Sequence, residues 1–105
     1  MEITFDQKYL SELYHNGKCS DKKHQYQPEV VKRYIRVINT LKATDAPEDL
    51  YRLHSLNYEV LKGDKKGTES VRVNDQYRVE FTTSRVVNEI VVTVCNILEL
   101  SNHYK

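Results

Sequence analysis

The chain has 105 residues and a formal net charge of +1, with 39% hydrophobic and 30% charged residues. This composition predicts one folded domain, since it is too apolar for a disordered segment and contains no apolar stretch long enough for a membrane span. The low net charge excludes a domain that is basic throughout, so any electrostatic contact with nucleic acid must come from a local cluster. Cys19 and Cys95 lack metal-ligand spacing, and no leader-type segment opens the sequence. We therefore expect a cytoplasmic protein with reduced thiols and neither metal nor cofactor.

The amino-terminal part is predicted to form one strand and two helices. Ile3 and Phe5 alternate with polar residues, which is typical of a short strand. Apolar residues at helical spacing from Leu10 predict a helix that ends at Gly17. After a polar loop, a second helix begins at Pro28 and runs to about residue 41 or 42, because its apolar residues form one continuous stripe.

A short third helix is predicted after this stripe. Asp45 followed by Glu48 resembles a capping box, and Pro47 fits the first turn of a helix. The segment would run to about Leu53, with Leu50 and Leu53 facing the core.

Strand patterns occupy the remainder of the chain, at Tyr58–Leu61, Glu69–Val73, Tyr77–Thr82 and Glu89–Leu98. A strand, then helices, then a run of strands predicts the α+β class. We expect helices packed on one face of a small, mainly antiparallel sheet, within a single domain that spans residues 1–105.

The register of one hairpin brings two arginines together. A three-residue loop over residues 74–76 keeps one face of the hairpin apolar and sets Arg72 directly opposite Arg78. Two like charges in these positions cost stability unless an anion offsets them. Either Glu80 on the same face neutralises the pair, or the arginines form a basic patch for phosphate.

Two further groups of polar residues are candidates for function. Lys62, Lys65 and Lys66 lie in a segment punctuated by glycines, LKGDKKG, which lacks the spacing of a phosphate-binding P-loop and could equally be a solvated turn. His103 and Tyr104 follow the last predicted strand, and both residue types can transfer protons. A frayed terminus is the alternative interpretation.

These segments together carry a resemblance to a known family. LKGDKKG, then SVRVNDQYRVEF, then a His/Tyr pair at the carboxyl end resemble the HigB branch of the RelE-type toxins of bacterial toxin–antitoxin modules. The resemblance covers most of the chain and implies a RelE-like fold. It also implies a ribonuclease that enters the decoding site of a translating ribosome and cuts the mRNA there, with a HigA-like helix-turn-helix antitoxin as its inhibitor.

Eight residues are candidates for the site, and five of them, including Arg72, match the motifs of the family. Lys62, Arg78, His103 and Tyr104 match the positions that carry activity in the family, and which of His103 and Tyr104 acts as acid or base stays open. Arg72, Lys65, Lys66 and Asn102 are expected to contact RNA. Two other functions are compatible with the same fold: a toxin of the ParE type that acts on gyrase without cleaving RNA, and an inactive member that only binds an antitoxin.

Overall fold

The computed structural model describes residues 1–102, which form two α-helices, several short 3-10 helices and a five-stranded sheet with strand order β1-β5-β4-β3-β2. No helix in this range is long and apolar enough to cross a membrane. The elements are β1 (Glu2–Phe5), α1 (Lys8–Asn16), α2 (Pro28–Ala43), β2 (Glu59–Val60), β3 (Glu69–Arg72), β4 (Tyr77–Val87) and β5 (Val91–Asn102).

The sheet is an antiparallel meander of β2 to β5 with one parallel strand added. β1 pairs in parallel with β5, while β5, β4, β3 and β2 pair antiparallel in turn. The predicted α+β class and the mainly antiparallel sheet are therefore confirmed. The long β5 lies between the first strand and the rest of the sheet.

The two helices cover one face of the sheet and form the core with it. α1 ends where Gly17 adopts a φ of 75°, a left-handed conformation that glycine tolerates best. The α2 stripe is buried as predicted, and the hydroxyl of its fully buried Tyr34 donates a hydrogen bond of 2.7 Å to the carbonyl of Leu10 on α1. Cys95 of β5 is buried in the same core.

The predicted register of the β3–β4 hairpin is confirmed. Val71 pairs with Val79, and Arg72 pairs with Arg78. The Asn74 side chain fixes the connecting loop, because its Oδ1 accepts hydrogen bonds from the backbone N–H groups of residues 76 and 77, at 2.9 and 2.7 Å. Core residues therefore occupy one face of the hairpin, and the arginines project from the other.

Two local predictions were wrong. The segment after α2 is a 3-10 helix, Pro47–Arg52, and its N-cap is Ala46 without a side-chain cap, so Asp45 forms no capping box. Leu50 is buried there, but Leu53 is 40% exposed. In the loop before α2, His24 stacks on Tyr9 with ring centroids 3.6 Å apart.

The hairpin of β4 and β5 extends beyond the other strands. β3 pairs with β4 only as far as Phe81, whereas the β4–β5 ladder continues to Val87 and Val91. The strand predicted over Tyr77–Thr82 corresponds to β4, which continues for five more residues, to Val87. The large apolar side chains at the end of this hairpin are exposed.

Candidate active site

The face of the sheet opposite the helices carries a shallow pocket of about 210 Å³. Its polar residues alternate along β3, β4 and β5 with the residues that enter the core, so strand geometry turns them to this face. β2 and the turn after it close one side. The lining residues are Glu59, Leu61, Lys65, Ser70, Arg78, Glu80, Ser101 and Asn102.

Arg78 is held firmly within this pocket. Its Nε donates to the hydroxyl of Ser70 at 2.9 Å, and its Nη2 donates to the backbone carbonyl of Asn57 at 2.6 Å. Only 12% of the side chain is exposed. Nη1 makes no hydrogen bond within residues 1–102, so two of its N–H groups can be offered to a ligand.

The charge of Arg78 is only weakly compensated. Its closest carboxylate is that of Glu59, with Nη2 and Oε1 4.0 Å apart. Burial, and to a lesser degree the nearby Arg72, lower the pKa of the Arg78 guanidinium, while Glu59 acts in the opposite direction. A guanidinium remains protonated despite such a shift. The pocket therefore presents a positioned cation with spare donors, which suits an anionic group such as a phosphate.

Lys65 provides a second cation, but this one is paired. The 3-10 turn Gly63–Lys65 carries it over the sheet, where Nζ donates to both carboxylate oxygens of Glu80 at 2.9 and 2.8 Å. The hydrogen bond to Glu80 raises the pKa of Lys65. Since Lys65 engages both oxygens, Glu80 forms no hydrogen bond to either arginine in the part of the chain described. Glu80 therefore makes no direct polar contact with the arginines, although its charge acts to raise the pKa of Arg78.

The sequence of the chain matches a known family over most of its length. Residues 3–95 match the family model described as the RelE-like toxin of the type II toxin–antitoxin system HigB. The chain belongs to this family. It is also similar to the toxin HigB-1 of Vibrio cholerae, with 34% identity over 82 residues that cover 77% of this chain and 82% of that toxin.

Solved structures of related toxins share the fold of this HigB-like chain. A YoeB/ParE toxin from Agrobacterium tumefaciens superposes with a TM-score of 0.62 at 17% identity, covering 99% of this chain and 100% of that one. The YoeB dimer from Staphylococcus aureus gives a TM-score of 0.50 at 22% identity, covering 99% and 98%. At these identities the likeness concerns the fold alone, and it confirms the predicted RelE-like architecture.

The structure of the HigB-like toxin brings together three of the residues that the sequence singled out. Arg78, Lys65 and Asn102 line the same pocket. Lys62 and Lys66 flank the Gly63–Lys65 turn and lie outside the pocket lining. Both side chains are exposed, and neither side chain forms a hydrogen bond or ion pair with other residues in 1–102. His103 and Tyr104 lie outside the described residues.

Arg72 leaves the sheet in a different direction. Its Nη2 forms an ion pair with Asp75, and its side chain lines cavities beside α2 instead of the pocket on the open face. The two arginines are therefore paired across β3 and β4, but their side chains diverge and do not share a site. The two guanidinium groups therefore do not form a single basic patch on the sheet.

Sequence reasoning missed two partners that fix Arg78. Ser70 could have been found, because the register that sets Arg72 against Arg78 also places Ser70 on the same face, opposite Glu80. No sequence pattern indicated the carbonyl of Asn57. Asn57 itself adopts a left-handed conformation (φ 44°) at the end of the 3-10 helix His54–Leu56, and this conformation determines where its carbonyl lies. Among residues 1–102, no cluster of three or more His, Cys, Asp or Glu could hold a metal ion.

Proposed function

We propose that this toxin is a metal-independent endoribonuclease of the cytoplasm that cuts mRNA in the decoding site of the translating ribosome. Membership of the HigB family of type II toxins supports this function. The observation that carries it is the state of Arg78, which is fixed by Ser70 and Asn57 yet keeps two N–H groups directed to no partner within residues 1–102.

The chemistry of the proposed reaction needs no metal. A base takes the proton of the 2′-hydroxyl, the 2′-oxygen bonds to phosphorus, the bond from phosphorus to the 5′-oxygen breaks, and an acid protonates that leaving oxygen. Arg78 would donate hydrogen bonds to the phosphorane oxygens, where negative charge develops. Lys62 would add a second cation, and His103 and Tyr104 would carry the protons. Lys65, Lys66 and Asn102 would hold the RNA, whereas Arg72, which the sequence also suggested for this role, lines a different surface.

Two partner classes follow from the proposal. The small ribosomal subunit would present the mRNA, because the pocket is shallow and open and cannot by itself enclose an RNA strand. A HigA-like helix-turn-helix antitoxin would hold the toxin inactive, since the family is defined as one half of a type II toxin–antitoxin system.

The decisive experiment maps RNA cleavage by primer extension, with purified protein, in a translation reaction and on the same naked mRNA. We expect cuts only where ribosomes translate. Arg78→Ala should lower the cleavage rate by about 10²–10³-fold, as loss of one transition-state donor does elsewhere. Arg85→Ala is the matched control, because it removes the same charge from an exposed position on the same strand.

Each other outcome points to a different function. Equal cleavage by wild type and Arg78→Ala would refute the role of this pocket. Cuts on naked RNA would indicate a ribonuclease that works without ribosomes. Growth arrest in cells without RNA cleavage would favour a toxin that acts on gyrase, and absence of both would indicate a member that only binds its antitoxin.

A further inference from the structure

A second concave surface lies beside α2 and does not include the Arg78 pocket. This arginine groove, of about 400 Å³, runs between α2 and the segment that follows the 3-10 helix Pro47–Arg52. It shares no lining residue with the Arg78 pocket. The side chains on which the following argument depends are Arg33, Arg36, Arg72, Val37, Leu53 and Leu56.

The rim of the arginine groove has an excess of positive charge. Arg33 and Arg36, one turn apart on α2, form no ion pair with other residues in 1–102. Arg72 is paired only with Asp75, whose side chain is 91% exposed and lies outside the groove. Glu29 and Asp75 line the neighbouring cavity, but no carboxylate lines the groove itself. Three cations around one cavity favour an anionic occupant.

The floor of the arginine groove is apolar. Val37 and Leu56 belong to the hydrophobic core, and Leu53 exposes 40% of its surface. An exposed leucine beside buried apolar side chains is a place where a partner can bury an apolar group. No aromatic residue lines the groove, so it lacks the platform on which proteins stack the bases of single-stranded RNA.

From this combination we propose that the arginine groove binds an acidic segment of a protein partner. One face of the segment would place an apolar side chain on Leu53 and Val37. Its carboxylates would meet Arg33, Arg36 and Arg72, where planar guanidinium groups can bind them through two hydrogen bonds. The inference does not depend on RNA cleavage, because the groove and the Arg78 pocket are separate.

Fluorescence anisotropy with the full chain tests this binding. The probe is a labelled helical peptide of repeated Leu-Glu-Glu-Leu units, compared with a Leu-Lys-Lys-Leu peptide, a Ser-Glu-Glu-Ser peptide and a short single-stranded RNA. We expect the Leu-Glu-Glu-Leu peptide to bind at least about 10-fold more tightly than the lysine or serine peptide, because both charge and apolar contact are required.

Charge reversal on α2 locates the site. Arg33→Glu with Arg36→Glu should weaken binding of the acidic peptide by about 10-fold or more and improve binding of the lysine peptide. Lys32→Glu with Lys42→Glu makes the same charge change at exposed positions on the same helix outside the groove, and should alter both affinities by less than about 3-fold. Leu53→Ser should weaken the acidic peptide without reversing the charge preference.

Several results would overturn the proposal. One is equal weakening by the two double variants, which would mean that the peptide senses only net charge. Absence of binding to the wild-type protein is another. A third is an RNA probe that binds more tightly than the acidic peptide and loses its affinity in the Arg33→Glu, Arg36→Glu variant, which would assign the groove to nucleic acid. Peptide binding is measured without ribosomes, so a failed cleavage assay would leave this result intact.

Discussion

Arg72 and Arg78 are direct partners across β3 and β4, yet their guanidinium groups occupy different surfaces. Arg78 is drawn into the open-face pocket by Ser70 and by the carbonyl of Asn57. Arg72 is drawn to Asp75 and towards α2. This divergence relieves the repulsion that two like charges would have in such positions, and it gives the toxin two separate cationic sites.

Ser70 positions Arg78, and its removal should reduce cleavage without preventing RNA binding. Ser70→Ala deletes the hydroxyl that accepts from Arg78 Nε, so the guanidinium gains freedom to move away from the reacting phosphate. We expect kcat for cleavage on translating ribosomes to fall about 10-fold while KM changes little. Ser84→Ala, the same substitution at an exposed position of β4, is the control. An unchanged kcat for Ser70→Ala would contradict this positioning role.

In the Lys65–Glu80 ion pair the carboxylate is the more buried partner, since 11% of the Glu80 side chain is exposed against 51% of the Lys65 side chain. Loss of the pair should therefore cost stability mainly because Glu80 loses its charged partner. Lys65→Ala would leave the carboxylate with water as its partner, and we expect a loss of about 1 kcal/mol in the free energy of unfolding. Urea denaturation measures this loss of unfolding free energy.

The matched control is Lys66→Ala. It removes an exposed and unpaired lysine and should change the free energy of unfolding by less than about 0.5 kcal/mol. Adding Glu80→Gln to Lys65→Ala should recover part of the loss, and a purely additive double variant would contradict the coupling.

Glu69 is a buried carboxylate whose two oxygens are satisfied by hydroxyl groups. The Tyr58 hydroxyl donates to Oε1 at 2.5 Å, and the Thr83 hydroxyl donates to Oε2 at 2.7 Å. Tyr58→Phe should destabilise the fold by about 1–3 kcal/mol, because one oxygen of a buried carboxylate loses its donor. Tyr51→Phe is the control, since the neighbouring Tyr51 ring is 60% exposed. Equal midpoints of thermal unfolding for the two variants would refute the prediction.

Buried tyrosines should make the protein sensitive to alkali. Burial raises the pKa of Tyr34, and also those of Tyr26 and Tyr58. Above the usual value near 10, the unfolded chain releases protons that the folded chain retains, so the free energy of unfolding falls as pH rises. Tyr34→Phe should make this fall shallower by about 1.4 kcal/mol per pH unit.

Denaturant titrations between about pH 9.5 and 11.5 test the assignment to Tyr34. The exposed Tyr51→Phe variant should keep the slope of the wild-type protein. If Tyr34→Phe also keeps that slope, then Tyr34 does not contribute to the alkaline transition.

The sequence predicted those parts of the fold that depend on local pattern. The α2 stripe, the glycine stop of α1 and the β3–β4 register all follow from periodicity and turn chemistry, and they appear as expected. Asp45 failed as a cap because the chain stays extended through Ala46 before the 3-10 helix starts. The extended backbone at Ala46 therefore determines where the 3-10 helix begins, and the residue pattern around Asp45 does not predict that backbone conformation.

The candidate site was predictable only to the level of strand faces. Strand alternation predicted that Arg78 lies on the open face, and the LKGDKKG segment identified Lys65 as a candidate functional residue. The directions of the long side chains depended on tertiary partners: the Asn57 carbonyl for Arg78, Asp75 for Arg72 and Glu80 for Lys65. Asp75 lies only three residues after Arg72, but the partners of Arg78 and Lys65 are 21 and 15 residues away in sequence, so no short motif encodes them.

The position of β5 between β1 and β4 also affects how the toxin is made. β1 is synthesised before β5, and its residues pair with residues far along the chain, as the hydrogen bond from the Thr4 hydroxyl to the Asn96 side chain, 92 residues apart, illustrates. Pairing over such a distance in sequence is slow and requires β5 to be available. A nascent chain that has not yet produced β5 lacks the centre of its sheet and the strand that carries Asn102. We therefore expect a chain terminated before β5 to be unable to complete either the sheet or the Arg78 pocket.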